Sequence, residues 1–321
     1  MSRFIELMKY AFGDNADRKK ILVRLQKSND RKDMRIVKLL QSEEIESTTL
    51  IQEEVFSTVL EGAEPAQCMR DALPIIKVNT NALRYVVGEE GAYAGEVAEG
   101  AEIPIDTQDY TKRDFTIKKV GVRPLITKEL IEDGLFDVID LELRKAGAKI
   151  ENKLNKDALE ELLNNVANSV TVGTADQLSV GDIASALQSV RGSNFQPDKL
   201  ILSSLGEGTL LADSNLAYVA YAGDNAALRR GSVGASLLGL TPMVTTVDAK
   251  DSSGNSWGGT DAGDILAIVL DGDHAGATAM RRDLTVDRYE DPIRDLVGIS
   301  ITMRYDVKYL MSKAMCKIIT T

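Results

Sequence analysis

The sequence predicts an α+β fold, and three observations carry that prediction. Apolar residues recur at helical spacing from Leu130 to Leu163, far beyond the ~12 residues of an ordinary helix. The last fifty residues and the apolar run Ile265 to Leu270 read as strands. Between residues 77 and 122, two strand-like stretches flank a long, acidic, glycine-rich loop, a pattern for a projecting hairpin. The chain has 321 residues, 44% of them hydrophobic, so it can bury a sizeable core. Only 5% are aromatic, which leaves the packing to Val, Ile, Leu and Ala.

In chain order, Phe4, Leu7, Met8 and Ala11 predict a short helix closed by Gly13. A basic helical pattern follows over 21–40, broken near Ser28 to Lys32. Leu50, Ile51, Val55, Val59 and Leu60 predict another helix, with a turn at Gly62 and Pro65 and a further helical turn over 68–73. One strand is expected over 77–87 and a returning strand over 114–122. Arms of about 20 residues would reach ~60 Å at ~3.3 Å per residue, a length that an isolated ribbon does not support without a neighbour. Thr127 is the expected N-cap of the long helix, with Gly134 and Gly147 as points of bending. Ser179-Val180-Gly181-Asp182 has the pattern of a capped second helix ending near Arg191. Leu200 to Leu202 reads as a strand, 206–234 as glycine-rich and partly irregular, and 237–244 as a tight turn into a strand. Final strands are expected over 285–289, 297–303 and 309–319.

The charge is uneven. The net charge is -11, yet the first 38 residues hold eleven basic and five acidic side chains, leaving a body of -17. A basic arm on an acidic body is the pattern of a segment with its own partner. Phosphates of a nucleic acid, met through Arg18, Lys19, Lys20 and Arg24, are one partner; a scaffold-like assembly contact or a solvated helix face is the other reading. No run approaches the ~20 apolar residues of a membrane span. Met1 to Glu6 lacks the apolar core of a secretory signal, so synthesis in a cytosol is the simplest reading.

Catalytic motifs are sparse. A single histidine, His274, follows Asp271-Gly272-Asp273 and reads as a surface-turn residue. One histidine cannot build an HExxH zinc site. Cys68 and Cys316 stand alone, which excludes a disulfide framework and paired zinc ligands. No phosphate-binding glycine loop is present. The stretch 248–264 is rich in Asp, Ser and Gly but lacks EF-hand spacing, so a flexible surface loop is expected there. No catalytic residue, cofactor or metal is assigned; a hydrolase using clustered carboxylates stays as the rival from the enzyme class.

The order of parts resembles the tailed-virus major capsid proteins of the Hong Kong 97 type. The resemblance covers roughly residues 48–321. It is carried by Thr48 to Leu73, by GVRPLITKELIED over 121–133, by FQPDKLILS over 195–203 and by the Leu238-to-Val244 turn. Ile265 to Asp273 with Arg281-Arg282, VGISITMR over 297–304 and Ala314 to Ile318 complete it. It implies an N-terminal basic segment and arm (1–76), an E-loop hairpin (77–122), and a spine helix with peripheral domain (123–198). An axial domain (199–270) and returning strands (271–321) follow.

The implied function is a major capsid protein, made in a host cytoplasm, that self-assembles as hexamers and pentamers into an icosahedral virion shell around double-stranded DNA. Portal, scaffold and decoration proteins are implied partners, with no membrane. An encapsulin-type shell enclosing enzymes shares the fold and is the alternative. Glu89, Glu90, Glu96, Glu99, Glu102 and Lys112 are expected to contact a neighbouring subunit, with Lys145, Lys149 and Lys153 on the spine helix opposite the glutamates. Some relatives crosslink an E-loop lysine to a neighbour's asparagine with a glutamate assisting. Lys112 falls near the lysine position, but the asparagine position falls near Leu296-Val297 and the glutamate position near Arg304. No asparagine follows Asn255, so the resemblance implies a shell without autocatalytic crosslinks.

Overall fold

The structure is a computed structural model that describes residues 56–88, 96, 110–127, 136–174, 176–217, 236–291 and 296–321. The helices expected before residue 56 and the bulk of the acidic loop lie outside the described residues. The chain divides into two compact units. One comprises residues 1–67, 119–152 and 282–304; the other comprises 68–118, 153–281 and 305–321.

In the first unit, residues 56–63 are helical and run into a short 3-10 turn, Glu64–Ala66. Gly62 is therefore inside the helix, and Pro65 alone marks the turn. The long helix α2 spans Phe136–Asn165 without interruption, about 45 Å at ~1.5 Å per residue. Thr127, the expected N-cap, closes strand β5 (Leu125–Thr127), which pairs antiparallel with β11 (Leu296–Tyr309), and residues 128–135 after it lie outside the described residues. Its ladder partner Leu296 stands 169 residues further along the chain, so the pairing does not show in a local pattern. Strand order in this region is β10-β11-β4, where β4 is Lys118–Val122 and β10 is Gly276–Asp291.

The second unit is built on a five-stranded sheet in the order β6-β12-β9-β7-β8. These are Asn168–Thr171, Met315–Ile319, Ile265–Leu270, Lys199–Leu202 and Thr241–Val244. β9 is central and buried at all six positions, which explains its unbroken apolar run. Helix α3 (Val180–Gly192) lays Ile183, Ala186, Leu187 and Val190 into the same cluster as Leu200, Leu202, Leu266 and Ile318. Its expected capping box forms: the Ser179 hydroxyl accepts from the Asp182 amide, and the Asp182 carboxylate accepts from the Ser179 amide.

The segment expected to be partly irregular from 206 begins as helix α4 (Ser204–Leu211), followed by α5 (Ser214–Ala217); residues 218–235 lie outside the described residues. Ser203 caps α4 by accepting from the Gly206 amide at 3.0 Å. Glycine is needed there, because a Cβ on Gly206 would stand 2.5 Å from the Leu266 carbonyl oxygen. Leu237 and Leu240 exchange both backbone hydrogen bonds around Leu238 (φ 54°) and Gly239 (φ 85°), which is the tight turn expected before β8. Pro242 falls between Thr241 and Met243 on an edge strand; the Thr241 and Thr245 amides bond toward β7, so the missing N–H of Pro242 lies on the open edge.

The loop over 248–264 is not a flexible one. Asp251 accepts from the Ser253 amide, the Asn255 amide and the Asn255 side chain at 2.9, 3.0 and 2.9 Å. Asp264 accepts from the amides of Ser256 and Asp261, and the Trp257 indole donates to the Thr245 carbonyl. The aspartates that resembled calcium ligands are spent on pinning the loop's own backbone.

Candidate inter-subunit surfaces

The hairpin exists as two seven-residue strands, β2 (Ala82–Gly88) and β3 (Tyr110–Thr116), with Ala82 opposite Thr116 and Gly88 opposite Tyr110. The expected returning strand over 114–122 is in fact two. The break comes at Ile117, after which β4 leaves the ribbon for the β11 sheet. The outgoing stretch is split likewise: β1 (Ile75–Lys77) pairs parallel with β10 before β2 begins. The described ribbon spans seven paired residues, about 23 Å.

Alternation gives the ribbon two unlike faces. Leu83, Val87 and Phe115 face inward and join Val78, Ala277, Ala279 and Leu310 in one cluster, with Phe115 fully buried. The root is also pinned by polar contacts. The Thr116 amide donates to Asp306 at 2.7 Å, Arg281 donates to Asn81, and the Arg113 guanidinium lies 4.2 Å from the Tyr309 ring centre. The opposite face carries Arg84, Val86, Tyr110, Lys112 and Asp114. Val86 is 53% and Tyr110 62% exposed, and Lys112 is exposed. Arg84 donates to Asp114 across the strands at 2.7 Å. That hydrogen bond holds the Asp114 carboxyl below its ordinary range and raises the guanidinium further.

Helix α2 also has two faces. Leu143, Ala146, Ile150, Leu154, Ala158, Leu159 and Leu162 are buried. Lys145, Lys149 and Lys153 are exposed, at i, i+4 spacing along one side. Lys153 is engaged by its own helix, 2.6 Å from Asp157, whose second oxygen accepts from the Tyr305 hydroxyl. Lys145 and Lys149 form no ion pair among the described residues. Leu141, one of the apolar residues at helical spacing, is 49% exposed beside Lys145. Helical periodicity alone does not tell an apolar residue on the buried face from one at its margin.

Among the expected contact residues of the acidic loop, Glu96 is described and exposed. Glu89, Glu90, Glu99 and Glu102 lie outside the described residues, as do Arg18, Lys19, Lys20 and Arg24. The sequence did not point to Val86, Tyr110 or Leu141; strand register and helix phase were needed to place them outward.

Nothing in the described residues assembles a reactive centre. No group of three His, Cys, Asp or Glu among them has the geometry of a metal site. His274 sits in the expected turn, half exposed, with Nδ1 3.1 Å from Asp271 and its ring against Phe195. A cleft of about 480 Å³ beside it is lined by Arg191, Asn194, Phe195, Gln196 and Pro197, with no carboxylate pair for a hydrolase. Burial raises the Cys68 thiol to about 12, with Asp71 adding to the shift, and burial raises Cys316 to about 11. Both therefore stay protonated, poor nucleophiles at neutral pH.

Among the described residues, the exposed charged and apolar side chains singled out above lie on the outer face of the ribbon and along α2. Residues 110–318, more than half of the chain, match the profile of a family described as phage capsid protein, and the chain belongs to that family. It is 30% identical over 126 residues to the major capsid protein of Staphylococcus phage phiMR11, a match over 38% of this chain and 44% of that one. The chain thus matches under half the length of this curated relative. Solved structures share the fold at low identity. The capsid of a native GTA particle aligns with a TM-score of 0.61 at 14% identity, covering 80% of this chain and 90% of that one. The capsid of cyanophage P-SCSP1u gives 0.59 at 12%, covering 78% and 86%. A chain of Mycobacterium phage Bobi gives 0.58 at 17%, covering 82% and 89%. The fold is the tailed-phage capsid fold of the Hong Kong 97 type.

Proposed function

We propose that this chain is the major capsid protein of a tailed phage, self-assembling through hexamers and pentamers into an icosahedral shell around double-stranded DNA. The observation that carries this reading is the match to the phage capsid family over 110–318, on a fold aligned over most of its length with phage capsid chains. The β2–β3 ribbon is the E-loop, α2 the spine helix, and the sheet around β9 the axial domain. Copies make the capsomer, and the protein is a component of the virion made in the host cytoplasm. Portal, scaffold and decoration proteins are the partners such a shell requires.

The contacts are non-covalent. Lys112 stands on the outer face of the ribbon, but Leu296 and Val297 occupy the positions where a crosslinking asparagine would be needed. In this reading Glu89, Glu90, Glu96, Glu99 and Glu102 of one copy meet Lys145 and Lys149 of the next. Lys153, already paired to Asp157, contributes less. Arg18, Lys19, Lys20 and Arg24 face the lumen and meet DNA phosphates without sequence preference.

Electron microscopy of the purified full chain is the test. Shells or capsomers are expected, and a monomer at all concentrations overturns the proposal. Nucleic acid in native particles separates a phage capsid from a compartment that encloses enzymes. A ladder of covalent oligomers on a denaturing gel contradicts the uncrosslinked shell.

A further inference from the structure

In the first unit, the helix over 56–63 crosses α2 with the two backbones in contact. A Cβ placed on Gly62 would lie 2.3 Å from the Arg144 carbonyl oxygen, and one on Gly147 would lie 2.2 Å from that of Val59. Real Cβ atoms do not approach backbone oxygen so closely, so each helix places a glycine where the other presents its main chain. Val59, Ala63, Leu143, Ala146 and Ile150 are buried on either side of the crossing. Glu61 and Arg144 close its exposed rim at 3.0 Å.

Neither glycine is explained by its own helix. Glycine inside a helix is less favourable than alanine by about 1 kcal/mol, and both helices run through it unbroken. Small residues at a crossing permit a close backbone approach, and two of them on opposite helices fix one register. A shift by one residue along either helix would bring a side chain onto a carbonyl.

We infer that the helix over 56–63 is a strap locked onto the spine helix of its own chain by the Gly62–Gly147 contact. The lock ties this helix to its own chain, so each copy keeps the 56–63 segment instead of exchanging it with a neighbour. The strap rests on the geometry of one chain and holds whatever that chain assembles into.

Two experiments test it on the full chain. Arg144→Lys keeps the rim charge and lets a zero-length carbodiimide join Lys to Glu61 as an amide, with loss of water taken up by the reagent. Light and ¹⁵N-labelled chains are mixed before assembly, and the linked 61–144 peptide is weighed. An isotopically uniform peptide is expected; a mixed one, or no linked peptide, overturns the strap in cis. The second experiment turns on sign. Gly208 lies inside α4 with open space around its Cβ position, so Gly208→Ala should strengthen its helix as propensity dictates. Gly62→Ala should do the reverse, speeding hydrogen exchange of the 56–63 amides by about tenfold or more, because the added methyl overpacks the crossing. Slower exchange at 56–63 in Gly62→Ala would overturn the lock.

Discussion

Asp251 shows how a single side chain organises the long loop beside the β9 sheet. Its carboxylate is nearly fully buried, and Lys317 from β12 reaches it at 3.2 Å. Burial alone would raise its pKa; the hydrogen bonds from Asn255 and the Lys317 ammonium outweigh that and leave it below the ordinary aspartate value. A folded pKa below the unfolded one means that the unfolded chain takes up the proton first. The stability this group supplies is therefore complete above about pH 4 and is lost as pH falls through the depressed folded value. Asp251→Ala should cost about 3 kcal/mol, since it strands Lys317 and three donors. Asp251→Asn should narrow the difference in urea midpoint between pH 6 and pH 3 for the unassembled subunit. An unchanged difference would show that the carboxylate does not titrate with folding. None of this was legible in the sequence. Asp-Ser-Ser-Gly-Asn composition suits a mobile loop and an ordered one equally, and Lys317 stands 66 residues away from Asp251.

Elements were legible to the degree that their signal was local. The capping box at Ser179, the apolar run of β9 and the long period of α2 depend on neighbours in sequence, and each forms as expected. The misplaced boundary at Ile117 depends on β11, which begins 179 residues downstream and takes up β4. The β2–β3 ribbon combines both cases: its existence was legible, while its facing was not. Root and outer face should respond differently to truncation. Phe115→Ala removes a fully buried ring from the satellite core and should cost about 3–5 kcal/mol, with faster exchange at the β2–β3 amides. Val86→Ala, on the exposed face, should change subunit stability by less than about 0.5 kcal/mol yet weaken association between copies. Equal effects of the two on subunit stability would contradict the two-faced ribbon.

At the scale of the molecule, the charge is segregated along the chain in a way that suits repeated contact more than a single tight site. Between Gly88 and Lys112 there is no basic residue, and five glutamates with Asp106 and Asp109 make the stretch uniformly acidic. Lys145 and Lys149 offer exposed positive charge with no ion-pair partner among the described residues. One exposed pair is worth about 0–1 kcal/mol, too little to hold two subunits. Two pairs per subunit at about 0.5 kcal/mol each would come to about 6 kcal/mol around a hexamer, enough to decide between capsomer and free subunit. Such a surface should be screened by salt, since the Debye length falls to about 3 Å at 1 M. Lys145→Glu with Lys149→Glu should leave the melting temperature of the subunit within a few degrees, because both side chains are exposed, while abolishing shells seen by electron microscopy. Adding Glu96→Lys and Glu99→Lys to that variant restores opposite charges across the contact and should recover assembly, whereas either pair of reversals alone should not. Full assembly of both single-sided variants at low salt would show that the acidic loop and the α2 lysines do not meet, and would leave the exposed apolar groups of the ribbon, Val86 and Tyr110, as the surface that holds one copy to the next.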